Sequence, residues 1–371
     1  VNSPVEPTEI YRFVLHLAAG MQPAIDTHGT AALRLLTEPG FVQWNRLMFS
    51  AVSELRKSGQ WSGLSPSLQH KLAGRLLKLA AVQVRQIHWL HRLAETVIPP
   101  SVTVLMIKGS ALYGQVYTRG DFRACNDIDM MVRADEMDVL HEALTAAGAE
   151  EHRDPMHPVS SRLFYQRQYR LSENKDIRLD VHLHPAPAGF FPDLTREIWN
   201  HSTVHPEFGK SNIRVPSPVD HLIVQAANAS AQAFFEPHYF VDSMRMIRCH
   251  GIQADDVVQR AKRLNASVMT RIMIQHLEFW FGIRCTEPPV KGYRAAAARV
   301  LYPVDRRDFG AFRERTRIRQ MLSLSLLDRP IHGACMLLRG GAARSADWLM
   351  RMPGIRDRWH GTDSPGKEPA R

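Results

Sequence analysis

The stretch Asn126-Asp127-Ile128-Asp129-Met130-Met131-Val132 places two carboxylates at i and i+2 in an apolar run. Alternate side chains of a β-strand share a face, so Asp127 and Asp129 point the same way. Their neighbours are apolar, so the rest of the strand is buried and the acids belong at its open end. Two like charges at that spacing need neutralising, and a hard divalent cation does this. The competing reading is an acid pair that only caps a loop.

Two further segments bear on the choice. Upstream, Val102-Thr103-Val104-Leu105-Met106-Ile107 is a short β-branched run of the kind that forms a buried strand, and it leads into Lys108-Gly109-Ser110. Glycine allows a phosphate to approach the backbone, and free N–H groups at a helix start attract anions. A short helix is expected over 111–117. Gly-Ser alone is equally consistent with a plain turn. Downstream, Ile177-Arg178-Leu179-Asp180-Val181-His182 sets one acid inside an apolar strand, where it is costly unless paired or bound to metal. Three acids on adjacent strands beside a Gly-Ser turn meet the needs of two-metal phosphoryl transfer.

These residues resemble the nucleotidyltransferase superfamily of the DNA polymerase β type. More closely, Lys108-Gly109, Tyr117, Arg123, Asp127-Ile128-Asp129 and Leu179-Asp180-Val181-His182 resemble an uncharacterised bacterial nucleotidyltransferase family, nucleotidyltransferase family 5. The likeness spans about residues 100–185 and continues more loosely around Phe240 to Leu264, including Asp242. It implies an α+β fold: a small mixed-sheet polymerase β-type core flanked by N- and C-terminal helical regions. It implies an enzyme that moves an NMP from an NTP to a hydroxyl or phosphate acceptor and releases pyrophosphate. Two Mg2+ ions, replaceable by Mn2+, would be held by Asp127, Asp129 and Asp180, with Asp180 also taking the acceptor's proton. Gly109 and Ser110 would hold the β- and γ-phosphates. Lys108, Arg119 and Arg123 would neutralise phosphate charge. Members of the family occur beside polysaccharide and lasso-peptide biosynthesis genes, which points to a peptide, sugar phosphate or small metabolite as acceptor. Residues 111–126 form a longer insert than many superfamily members carry, and are read as a helix plus loop folding over the phosphates.

His182 and His184 flank Leu183. His182 is read as orienting Asp180 or an acceptor group rather than as a ligand, and His184 as structural or exposed. The aromatic group Phe234, Phe235, His238, Tyr239 and Phe240 is read as helix packing, with base stacking as the alternative.

The 371-residue chain is 44% apolar and 23% charged, ordinary for a globular protein with ample core. No run approaches the ~20 apolar residues of a membrane span. The first residues show no basic start or apolar run of an export signal. Cys125, Cys249, Cys285 and Cys335 form no CxxC pair, which argues against a zinc finger or a disulfide framework and fits a reducing cytoplasm. The formal charge of +10 favours anionic partners. Its excess is densest at Arg306-Arg307, Arg313, Arg315, Arg317 and Arg319 and again from Arg339 to Arg358, which keeps RNA open as an acceptor. A non-catalytic NTP-binding regulator and a nucleotide-sugar glycosyltransferase are further alternatives.

Along the chain, residues 1–99 read as a helical region, its strongest helix running from Ser67 to about Val97 and stopped by Pro99-Pro100. Residues 100–215 form the α/β core. It contains a second buried strand over 128–132, an amphipathic helix over 134–147 closed by Gly148, and an antiparallel hairpin of 162–171 with 176–182. Residues 216–360 read as a second helical region with breaks near Pro237, Gly251, Pro288-Pro289, Pro303 and Pro330. The Pro/Gly-rich residues 361–371 read as a disordered tail.

Overall fold

The computed structural model describes residues 7–37, 45–118, 120–121, 125, 127–152, 166–171, 174–186, 191–232, 234 and 236–292. Arg119, Arg123, Cys335, the arginine-rich segments beyond residue 300 and the tail lie outside them.

Three helices lead: α1 (Pro7–Ala18), α2 (Thr27–Leu35) and α3 (Asn45–Lys57). The long α4 (Pro66–Arg92) follows, ending in a π-turn over Leu93–Val97 ahead of the Pro99-Pro100 stop. Its start is specified locally. Ser65 caps the helix by accepting the Leu68 N–H at 3.4 Å, and Pro66 occupies the first turn, where no N–H is needed. The same Ser-Pro device opens α8 (Pro218–Ala231), where Ser217 accepts the Asp220 N–H at 3.2 Å.

Between these helices the chain builds a mixed sheet. Its strands are β1 (Val104–Met106), β2 (Asp127–Met131), β3 (Ala149–Glu151), β4 (Gln166–Leu171), β5 (Asn174–His182), β6 (Thr203–Val204) and β7 (Ile213–Val215). Among the described residues the order is β3-β4-β5-β2-β1-β7-β6. β2 runs parallel to β5 and antiparallel to β1, and β1 runs parallel to β7. β4 and β5 form the antiparallel hairpin read from sequence, with an irregularity at Arg170/Leu171. β1 is wholly buried, and β2 is buried beyond Asp127, so both faces of the sheet centre are covered.

Helix α5 (Lys108–Leu112) corrects one expectation. It begins at Lys108 rather than at Ala111, so Gly109 and Ser110 lie inside its first turn and not before it. The chain then turns through Gly114, at φ +76°, where a Cβ would meet the Glu207 Cβ at 2.8 Å. Only glycine fits both the backbone and the space. α6 (Met137–Ala146) is entered by a short 3-10 turn, and α7 (Pro192–Asn200) precedes β6.

After α8 come α9 (His238–His250), α10 (Ala254–Arg263) and α11 (Ser267–Phe281). α9 ends at Gly251 (φ +63°), the break expected there. The first and last described helices meet. His16 Nε2 lies 2.6 Å from the Trp280 carbonyl, Arg245 Nε donates to the Ala18 carbonyl at 2.8 Å, and Arg248 Nη1 donates to the Ala19 carbonyl at 2.8 Å.

A buried polar network joins α1, α3, α9 and the segment after α5. Arg245 lies 3.3 Å from Glu54 and 3.4 Å from Asp121, and its guanidinium stands 4.9 Å over the Tyr117 ring. Lys57 reaches Asp121 at 3.1 Å, and Asp121 accepts the Thr118 N–H at 2.6 Å. Tyr117 donates to Asp242 at 2.6 Å. Among the described residues Cys125, Cys249 and Cys285 are free thiols, and no helix is long and apolar enough to cross a membrane.

Candidate active site

Parallel pairing of β2 with β5 decides the geometry. The register sets Asp129 opposite Asp180, Asp127 opposite Arg178 and Met131 opposite His182. Paired residues of neighbouring strands share a face, so Asp127, Asp129, Arg178, Asp180 and His182 converge on one patch. Asp129 and Asp180 are buried there.

Asp129 is fixed through its backbone as well as its side chain. Its N–H donates to the Ser110 hydroxyl at 2.9 Å, and its carbonyl accepts the Ile107 N–H at 3.1 Å. Its Oδ1 takes the Lys108 ammonium at 2.5 Å and His182 Nε2 at 3.0 Å. Lys108 stands at φ +52°, left-handed backbone that costs a non-glycine residue about 1–2 kcal/mol. The ion pair offsets that strain.

The electrostatics divide the three acids. Burial opposes ionisation of Asp129, but Lys108 and His182 prevail and hold its carboxyl well below the usual range. Burial likewise opposes the charge on Lys108, and Asp129 overrides it, so the ammonium stays protonated. For Asp180 the same Lys108 and Arg178 only partly offset burial, and its Oδ1 has no hydrogen-bond partner. Burial, with the nearby charges of Asp129 and Asp127, pushes its carboxyl up to about 7. Burial and Asp129 also raise Asp127, against Lys108, Arg46 and Arg178. Burial and the Lys108 charge lower His182, against the pull of Asp129 and Asp127.

The donor set fits a divalent cation. Ligand atoms of Asp129, Asp180 and His182 all lie within 4.8 Å of one another. Asp180 Oδ1 is buried with no hydrogen-bond partner, an arrangement that costs free energy unless a cation or proton meets it. Asp127 stands beside this cluster, 3.5 Å from Arg178.

Several residues sit differently from their sequence reading. Ser110 is fully buried, with its hydroxyl committed to the Asp129 N–H. His182 bonds Asp129, not Asp180. His184 lies past the end of β5, its Nδ1 3.1 Å from the Thr195 hydroxyl. Arg119 and Arg123 lie outside the described residues. Phe234 and Phe240 are buried against His276, as packing predicts, whereas the His238 ring lies 4.2 Å from that of Tyr239.

Sequence reasoning missed Gln86, Arg46 and Arg178. Gln86, buried on α4, donates from Nε2 to the Asp127 carbonyl at 2.9 Å and accepts the Cys125 N–H at 3.0 Å. One carboxamide thereby grips the backbone on both sides of residue 126. Its polar position within an apolar stripe was the available signal. Gln86→Met is expected to destabilise the fold by about 1–3 kcal/mol, because it strands a buried N–H and a carbonyl. Thermal denaturation measures this, and an unchanged melting temperature would remove Gln86 from the site's scaffold. Arg46, on α3, brings Nη1 within 3.2 Å of His238 Nε2 and is among the cations acting on Asp127.

Among curated proteins and solved structures, none matches the chain. A sequence family described as "Uncharacterised nucleotidyltransferase" matches over residues 41–282. That span is well over half of the 371 residues and contains Gln86, Lys108, the whole acidic cluster and the helices packed around it. The chain therefore belongs to this family of nucleotidyltransferases.

Proposed function

We propose that the chain transfers an NMP group from an NTP to a hydroxyl or phosphate acceptor, with Mg2+ and release of pyrophosphate. The observation that carries this reading is the in-register pair Asp129/Asp180, whose buried Asp180 oxygen has no partner. Asp127, Asp129 and Asp180 would hold the divalent ions, with His182 close enough to join them. Bound there, the ions supply charge neutralisation of the triphosphate and acidify the acceptor.

In the transfer, a bond forms between the acceptor oxygen and the α-phosphorus. The bridging bond to the β-phosphate breaks, and pyrophosphate leaves with its electron pair. The acceptor proton goes to a carboxylate, the part that the family resemblance assigns to Asp180. Lys108, Arg119 and Arg123 are assigned to the phosphate charge from sequence, as are Gly109 and Ser110, whose turn is buried beside Asp129. Arg46 and Arg178 add positive charge around Asp127.

The residues alone leave the acceptor open. A peptide, a sugar phosphate or a small metabolite agrees with the family resemblance, and RNA agrees with the chain's basic excess. The test is pyrophosphate release from each of the four NTPs, with Mg2+ or EDTA, over panels of peptides, sugar phosphates and tRNA. Release is expected with Mg2+ and one acceptor class, and is expected to vanish with EDTA. EDTA-resistant release would overturn the metal-dependent reading. NTP binding without release from any panel would favour a regulator.

A further inference from the structure

The cation contact on Asp129 carries the reading above further, and depends on it. Lys108 Nζ lies 2.5 Å from Asp129 Oδ1, and His182 Nε2 lies 3.0 Å from the same atom. The lysine therefore already neutralises a carboxylate oxygen of the cluster that would hold a divalent ion. Two cations on one carboxylate oxygen repel strongly in a site sheltered from water. The ammonium and the metal are thus alternatives at this atom.

The side chains allow an exchange. Asp129 is only 4% exposed, whereas Lys108 is 23% exposed, so the lysine reaches inward from the open side of the site. Its stem is flexible and its charge compact, unlike a forked guanidinium locked by several bonds. Its backbone is left-handed, at φ +52°, and its stem ends at Asp129 on β2. Asp180, opposite Asp129, keeps an oxygen without a partner while the lysine is in place. One ammonium thus compensates Asp129 and leaves Asp180 for a second charge.

We infer that Lys108 is the exchangeable counter-ion of the metal site: it neutralises Asp129 until a divalent cation bridges Asp129 and Asp180, and is thereby released toward the incoming phosphates. Lys108 is then a positioning residue with two successive partners. It keeps the metal-free site folded, and it becomes available to the nucleotide only once the metal has arrived. Binding is ordered by charge, with metal entry preceding the lysine–phosphate contact.

The test compares Mn2+ binding by calorimetry in wild type, Lys108→Met, Lys108→Gln and Asp129→Asn, without nucleotide. Removing the competing ammonium is expected to tighten Mn2+ binding about ten-fold or more in Lys108→Met. Lys108→Gln, which keeps an N–H toward Asp129 without the charge, is expected to tighten it by less. In EDTA both lysine variants should melt below wild type, and saturating Mn2+ should raise their melting temperature more than it raises that of wild type. A lysine with a merely structural role would lower stability without tightening the metal. Wild-type or weaker Mn2+ affinity in both lysine variants, with binding lost in Asp129→Asn, would overturn the exchange and leave the metal site standing. Mn2+ binding unaffected by Asp129→Asn would overturn the site, and the exchange with it.

Discussion

Asp180→Asn is expected to give a protein that transfers no NMP yet, in EDTA, melts higher than wild type, by a margin that widens from pH 5 to pH 8. The loss of transfer follows from removing a carboxylate to which the proposed function assigns the metal and the acceptor's proton, and should exceed about 10²–10⁴-fold. The gain in stability follows from burial. In the folded chain the Asp180 carboxyl is pushed up to about 7, against an ordinary value of 3.8. The folded state therefore holds a proton that the unfolded state has released. Below about pH 4 both states are protonated and the site costs nothing extra. From there to about pH 7 wild-type stability declines with rising pH, and above pH 7 the whole penalty of an ionised carboxylate buried beside Asp127 and Asp129 is present. Asparagine does not titrate, so the variant escapes this decline. The difference at pH 8 should be about 2–4 kcal/mol. Melting curves in EDTA across this range decide the matter, and a wild type more stable than the variant at pH 8 would sink it.

Its neighbour across the register should behave in the opposite sense. Asp129→Asn is also expected to abolish transfer, but it strips the ion-pair partner from Lys108 and the acceptor from His182. Breaking a buried pair from one side leaves an uncompensated charge, a loss of about 3–5 kcal/mol in the dry limit. Lys108 keeps some contact with water, so about 2–4 kcal/mol is expected. Adding Lys108→Met to Asp129→Asn should recover most of it, and a double-mutant cycle would report the coupling. Equal melting temperatures for wild type and Asp129→Asn would show that the pair holds nothing together. Asp180→Asn is accordingly the better inactive control, since its fold is under less strain.

Much of this site was legible in the sequence because it obeys short-range rules. The i, i+2 spacing of Asp127 and Asp129 fixes their common face. Asp180 and His182 obey the same rule on their own strand. Pro66 and Pro218 open helices, and Pro99, Gly148 and Gly251 follow the ends of others, each through local backbone preference. The unread part depends on contacts far apart in the chain. Lys108 reads as a lysine for phosphate charge, and its left-handed backbone and 2.5 Å contact with Asp129 emerge only in the fold. Ser110 looks like a phosphate donor, yet its hydroxyl accepts a strand N–H from another segment. Gln86 looks like one more polar residue on a long helix, and only tertiary packing brings its carboxamide to Cys125 and Asp127. β6 and β7 are too short for any periodicity to announce them.

The docking of α1 onto α9 and α11 sets a schedule for synthesis on the ribosome. His16 meets the Trp280 carbonyl across 264 positions of sequence. At translation rates of 5–20 residues per second, roughly 13–53 s pass between the emergence of one and the other. α1 can collapse early with α2 and α3, but the side that receives Arg245, Arg248 and Trp280 stays open throughout that interval. For that time the nascent chain displays an incomplete helical surface of the kind that chaperones bind. α1 is made well before α9 and α11 and is sealed only when they arrive, and the yield of folded protein is therefore tied to the pace of translation through those two helices.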